Sequence, residues 1–161
     1  MKKFFITGLL LTAISFAFFS CKDDATTEPT VTTKTITINH WGVDWSKGVV
    51  GTEGNDAPEA DGETINWCPN GAGGGSGIYY RARTEKLYRI NTAALSSITT
   101  LDTTKWDDDV CDTPLTNGDL WAAKALDGFV VFKVLELPTD PNDFNWKVKV
   151  EYKFSTTLTF N

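Results

Sequence analysis

The sequence predicts an all-β fold, a mostly antiparallel sandwich or curved sheet in a single domain. From Phe144 to Phe154 every even position is apolar and every odd position is polar, as in a strand with one buried face. Asp127-Gly128 joins two apolar runs, which is typical of a β-hairpin closed by a type I′ turn. No segment after Cys21 keeps a helical period over three turns.

The first 20 residues predict a secretory signal peptide rather than part of the fold. Two lysines precede an apolar run from Phe4 to Phe19, and Ser20 comes directly before Cys21. Residues 18–21 resemble a lipobox, so we expect Cys21 to be diacylated and to anchor the chain in a membrane. The alternative is ordinary cleavage after Ala17, which would leave Cys21 unmodified.

Residues 21–33 predict a flexible, lipid-anchored tether in front of a β domain over residues 34–161. The tether is rich in threonine and acids, and besides alanine its one apolar residue is Val31, so it lacks the surface to fold alone. Cys21-Lys22-Asp23-Asp24 resembles the export signal of Bacteroidota surface lipoproteins. That resemblance implies an outer-membrane location with the domain displayed at the cell surface, while inward display stays open.

The charge of the chain excludes one class of function. Removing residues 1–20 takes two of the 15 basic residues and none of the 21 acidic ones, which leaves a net charge of about −8. A nucleic-acid partner recognised through net basic charge is therefore not expected.

The first half of the domain alternates short strands with loops. Period-two alternation predicts a strand over residues 35–40, then a turn and a second short strand over 41–50. Residues 51–63 hold three glycines, Pro58 and five acids, which predicts a solvated loop, and residues 65–68 predict a further strand.

The second half carries the clearest strands. Residues 79–83 and 87–90 predict a hairpin or one bent strand, and residues 91–119 predict long loops with one helical turn. The Asp127-Gly128 hairpin pairs residues 120–126 with 129–135, and a long terminal strand begins at residue 144. The total is roughly seven to ten strands.

Two cysteines remain once Cys21 is lipidated. Cys68 and Cys111 are an even pair in an exported domain, so we expect a disulfide, worth about 4 kcal/mol on the chain-entropy model. With one histidine and no CxxC motif we predict no metal site, although weak calcium binding by the acidic loops stays open. No acids fall in a recognisable hydrolase motif, so we predict no catalytic residues and no enzyme activity.

Aromatic side chains near predicted turns indicate a binding surface, because their faces stack on planar or sugar ligands. The candidate ligand-binding residues are His40, Trp41, Trp45, Trp67, Tyr79, Tyr80 and Trp106. The alternative is that they pack a β core, which is the role we expect for Trp121 and Trp146 in the predicted strands. His40 lies on the apolar parity of its strand, so a core or edge position is also open.

Four short segments resemble the HmuY-type haem-binding lipoproteins of Bacteroidota: residues 45–50, 65–67 with the following Gly/Ser stretch, 125–133 and 149–154. The resemblance implies a lipid-anchored β protein that captures haem, with a TonB-dependent receptor or another surface protein as partner. Family members hold iron with a pair of His or Met side chains, and the chain without its signal contains His40 and no Met. The alternative function is a glycan-binding, adhesive or structural module of a surface complex.

Overall fold

The computed structural model describes residues 30–66, 77–90, 94–107, 113–140, 143 and 145–161. The prediction of an all-β antiparallel fold is confirmed. The described strands are β1 Lys34–Ile38, β2 Val43–Asp44, β3 Val49–Val50, β4 Gly62–Ile65, β5 Tyr79–Ala82, β6 Leu87–Ile90, β7 Leu120–Lys124, β8 Phe129–Glu136 and β9 Val148–Ser155. Short 3-10 turns lie at Leu95–Ser97 and Thr103–Lys105. No helix among the described residues is long and apolar enough to cross a membrane.

The strands form two antiparallel sheets. The first has the order β1-β9-β8-β7-β6, and the second has the order β3-β2-β4-β5. The main core lies between them and combines residues of both sheets, among them Val43, Tyr80, Phe132 and Val150. In this arrangement each sheet buries one apolar face against the other.

The outer face of the five-stranded sheet is covered as well. Leu95, Ile98 and Leu101, from the segment predicted as a long loop, pack with Phe160 against Ala122 and Val131. Both faces of β8 are therefore buried over most of its length, which explains its uninterrupted apolar run Phe129-Val130-Val131-Phe132. The tether joins this second cluster, since Val31 packs on it and its N–H donates to the carbonyl of Asn161 at 2.8 Å.

The β7–β8 hairpin was predicted correctly, but its turn was not. Strand pairing ends at Lys124 and Phe129, and the Ala125 N–H donates to the Gly128 carbonyl at 2.9 Å. Neither Asp127 nor Gly128 has the left-handed φ that a type I′ turn requires. Gly128 is needed for close approach instead, because a Cβ there would lie 2.5 Å from the Ser155 carbonyl oxygen.

Three other strand predictions need correction. The terminal strand begins at Val148 rather than at residue 144, because Trp146 has a φ of 45° and ends the alternation. The strand predicted at 65–68 shares Ile65 with β4, which spans Gly62–Ile65, and residues 67–68 of the prediction lie outside the described part of the chain. The segments 79–82 and 87–90 are neither a hairpin nor one strand, since β5 and β6 belong to different sheets.

Candidate functional site

An aromatic cluster forms where the chain leaves β1. Buried Asn39 shapes this turn, because its side chain accepts from the Trp41 N–H at 2.8 Å and donates to the Gly51 carbonyl at 2.9 Å. His40 follows the strand rather than belonging to it. Its ring lies between two indoles, with centroid distances of 4.3 Å to Trp41 and 5.0 Å to Trp146.

The partners of this cluster come from distant parts of the sequence. The Trp41 indole N–H donates to Asn145 Oδ1 at 3.2 Å, and the Thr64 hydroxyl donates to the Trp146 carbonyl at 2.8 Å. These bonds hold Trp146 in a backbone conformation that non-glycine residues rarely adopt. The contacts with His40 and Asn145 therefore hold the Trp41 side chain in place, and this side chain remains half-buried.

A cleft of about 520 Å³ opens beside His40 and Trp41. Its walls come from β4, β5, the loop before β4 and the turn after β5. The apolar side chains in the lining are Ala57, Ala60, Ala82 and Leu126. The charged side chains are Asp56, Glu59, Glu63, Arg81, Arg83 and Glu85.

Some of the charged side chains are already paired. Arg81 forms an ion pair with Glu63, and Lys47 Nζ lies 2.6 Å from Glu59 Oε2 and 3.0 Å from Asp44 Oδ2. Within the described part of the chain, Asp56, Arg83 and Glu85 have no ion-pair partner. Hydrogen bonds to Glu59 and Asp44 raise the pKa of Lys47, so it stays charged.

Asp44 is the buried ion-pair partner of Lys47. Burial by itself would raise the pKa of Asp44, but hydrogen bonds from Lys47 and Ser46 and the charge of Lys47 outweigh burial and lower it. The carboxylate accepts from the Lys47 N–H and the Ser46 hydroxyl at 3.0 and 2.9 Å. It therefore organises the tight turn between β2 and β3.

Asp61 accepts hydrogen bonds from backbone segments next to both sheets. It is buried directly before β4, and its two oxygens accept from the Trp45 N–H at 2.8 Å and the Leu126 N–H at 2.7 Å. Burial raises the pKa of Asp61, and the backbone hydrogen bonds offset only part of this effect. Since Leu126 follows β7, this carboxylate links the second sheet to the first.

Three residues predicted to bind ligand lie in the core instead. Trp45 is fully buried, and its indole N–H donates to the Tyr80 hydroxyl at 2.8 Å. Tyr80 is 2% exposed and Tyr79 is 5% exposed. A ligand-facing role for Trp45 and Tyr80 was therefore wrong, because the two sheets close over their side chains. The Tyr79 side chain is buried as well, on the opposite face of β5.

The other predicted site residues fall into two groups. Trp106 lies on the opposite side of the five-stranded sheet, in edge-to-face contact with Tyr88 and stacked on Phe129. The predicted ligand residue Trp67, the lipidation site Cys21 and the disulfide pair Cys68 and Cys111 lie outside the described residues.

The described residues that follow the two cysteine-containing segments lie close together. The Leu115 N–H donates to the Ile78 carbonyl at 2.7 Å, and a Cβ on Gly77 would lie 2.8 Å from Pro114. The Cys68–Cys111 disulfide stays a prediction, and this contact is compatible with it.

Trp121 lies in the core, as expected, and Trp146 does not. Trp121 is 6% exposed on β7, whereas half-buried Trp146 contacts His40 at the cleft end of the molecule. Sequence alternation could not reveal this role, because Trp146 continues the parity of β9 without its conformation. Arg81 and Arg83 were also missed, although their alternation on β5 and in the turn after it places them beside the cleft.

Comparison with known proteins does not assign the chain to a family. No family model, curated protein or solved structure matches the chain. Over the described residues, no three His, Cys, Asp or Glu side chains come together as a metal site would require.

Proposed function

We propose that the protein is a lipid-anchored surface lipoprotein whose β domain binds a saccharide in the cleft beside Trp41. The observation that carries this proposal is the half-buried indole of Trp41 in the lining of a cleft that also holds six charged side chains. A sugar ring offers C–H groups that stack on an indole and hydroxyls that bond to carboxylates and guanidinium groups. This arrangement supplies both kinds of contact.

The position of the aromatic cluster suits display from a membrane. The tether enters the domain at Thr30 and Val31, before the first residue of β1, and His40 and Trp41 follow its last residue. At roughly 3.3 Å per residue, β1 spans about 13 Å from Lys34 to Ile38. The aromatic cluster therefore lies at the opposite end of β1 from the tether.

The proposed activity is binding without catalysis. Glu59 and Glu63 each form an ion pair, with Lys47 and Arg81 respectively. Carboxylates held in this way can accept hydrogen bonds from sugar hydroxyls.

Replacing Trp41 by alanine tests the proposal. We expect Trp41→Ala to weaken binding to a glycan found on an array at least about tenfold, equal to about 1.4 kcal/mol, because the stacking surface is lost. Isothermal titration calorimetry measures the change. Trp106→Ala is the matched control, since it removes a half-buried indole from the opposite side of the sheet. No hit on a broad array, or equal affinity in both variants, would contradict the proposal.

Haem capture is a second candidate, and one feature of His40 favours it. Its Nδ1 atom is buried and has no hydrogen-bond partner among the described residues, and a neutral imidazole nitrogen can ligate iron. Against it stands the acidic lining of the cleft, which disfavours the negative propionates of haem.

Haemin titration distinguishes the two candidates. If haem is the ligand, we expect a shifted Soret band at stoichiometric haemin, lost in His40→Ala and kept in Trp106→Ala. The absence of a shifted band at micromolar haemin would eliminate this candidate. A TonB-dependent receptor is the proposed partner for such capture, and its co-purification with the tethered protein would support the assignment.

A further inference from the structure

A carboxylate lies on the loop that runs beside Trp41. The Ala57 N–H donates to the Trp41 carbonyl at 2.8 Å, so the loop that bears Asp56 runs beside Trp41. Asp56 is exposed, and within the described residues no basic side chain pairs with it. The Trp41 indole and the Asp56 carboxylate therefore both line this cleft, on segments joined by that backbone hydrogen bond.

The basic side chains lie on other parts of the lining. Arg81 is on β5 and is already paired with Glu63, and Lys47 is shared by Glu59 and Asp44. Arg83 lies in the turn after β5, two residues before Glu85. Trp41 and Asp56 thus supply the cleft with an aromatic ring and, on the neighbouring loop, a carboxylate without an ion-pair partner among the described residues.

We propose that the saccharide is an amino sugar whose protonated amine binds between the Trp41 indole and the Asp56 carboxylate. This inference rests on the proposed saccharide-binding function and narrows its substrate class. An ammonium group is attracted to the face of an indole, which is the strongest cation–π partner among the side chains. A carboxylate beside the ring supplies a charge-assisted hydrogen bond to the same group. The net charge of about −8 on the chain without its signal attracts such a ligand over a longer range.

The test compares four oligosaccharides of equal length by isothermal titration calorimetry. They are a glucosamine oligomer, its N-acetylated form, an oligogalacturonate and a neutral cello-oligomer, at a mildly acid pH that protonates the sugar amine. We expect the glucosamine oligomer to bind at least about tenfold more tightly than the N-acetylated form, with the difference shrinking at high salt.

The Asp56→Asn variant locates the amine. We expect it to remove most of the preference for the free amine over the N-acetylated form. Glu85→Gln is the matched control, because it removes the same charge from another exposed position of the cleft lining. It should keep most of the preference.

The outcomes separate the two proposals. Equal or tighter binding of the N-acetylated, neutral or uronate oligomer would overturn the amine assignment and leave saccharide binding intact. An equal loss of preference in Asp56→Asn and Glu85→Gln would overturn the location of the amine. If no oligomer binds and the array is also empty, both the amine assignment and the proposed function fail.

Discussion

Replacing Trp45 by alanine is expected to lower the free energy of unfolding by about 4 kcal/mol, near the upper range for a buried aromatic truncation. Trp45 follows β2 in one sheet and is fully buried against the other. Its ring stacks on Phe132 of β8 at a centroid distance of 5.5 Å and contacts Tyr152 of β9 at 5.0 Å. The alanine variant therefore opens a cavity at the centre of the interface between the sheets.

The polar end of Trp45 adds to the cost. Its indole N–H donates to the Tyr80 hydroxyl, so Tyr80→Phe should leave that N–H unpaired and cost about 1–3 kcal/mol. Urea denaturation of Trp45→Ala, Tyr80→Phe and the double variant measures both effects and their coupling. Trp106→Ala, which removes a half-buried ring, should cost less. A loss below about 1.5 kcal/mol in Trp45→Ala would show that the core relaxes around the deletion.

Replacing Asp61 by asparagine is expected to cost about 2 kcal/mol at neutral pH, because an amide can accept only one of the two backbone N–H bonds. The Trp45 or the Leu126 N–H would then face an NH₂ group and remain unpaired. Asp56→Asn is the control, since Asp56 is exposed and lacks an ion-pair partner among the described residues. It should change the free energy of unfolding little.

Asp61 also predicts a direction of pH dependence. Because the pKa of Asp61 is raised on folding, the native state binds more protons than the unfolded state between the two pKa values. Its contribution to stability is therefore full below the unfolded pKa and is lost as pH rises through the folded pKa. Asp44 acts in the opposite direction, since its lowered pKa adds stability that is lost as pH falls.

The comparison of wild type with Asp61→Asn isolates the first effect. The stability difference between the two proteins should grow in favour of wild type as pH is lowered through the carboxyl range. Denaturation curves at several acid pH values measure this difference. A difference that stays constant, or that shrinks at low pH, would show that the Asp61 carboxyl is not desolvated in the folded state.

Local sequence patterns were sufficient to predict some of the strands. The β7–β8 hairpin follows from two apolar runs around a turn, and most of β9 follows from strict alternation. The turn conformation at Asp127-Gly128 could not be predicted, because the approach of Ser155 and Phe154 from β9 restricts Gly128. The covering of the outer face by Leu95, Ile98 and Leu101 could not be predicted either, since spaced apolar residues in a Thr-rich segment do not indicate which surface they bury.

The candidate site depended even more on long-range contacts. Trp41, Trp45 and Trp106 all lie near predicted turns, which made them equivalent candidates, and Tyr80 was a candidate from a predicted strand. The folded chain separates them: Trp45 and Tyr80 are enclosed between the sheets, Trp106 packs on the far side, and Trp41 remains at a cleft. Trp146 joins His40 through a turn whose backbone is held by Thr64, far away in the sequence.

The sequence by itself determined the all-β class, the acidic charge and the presence of a single histidine, because these follow from composition and from period-two alternation. It also predicts the signal, the anchor and the disulfide. Only the tertiary structure decided which aromatic rings are core and which line a cleft, and which carboxylates are paired. The physical reason is that alternation along a strand determines which of its side chains share a face. Burial and ion pairing depend instead on which second sheet, loop or turn covers that face.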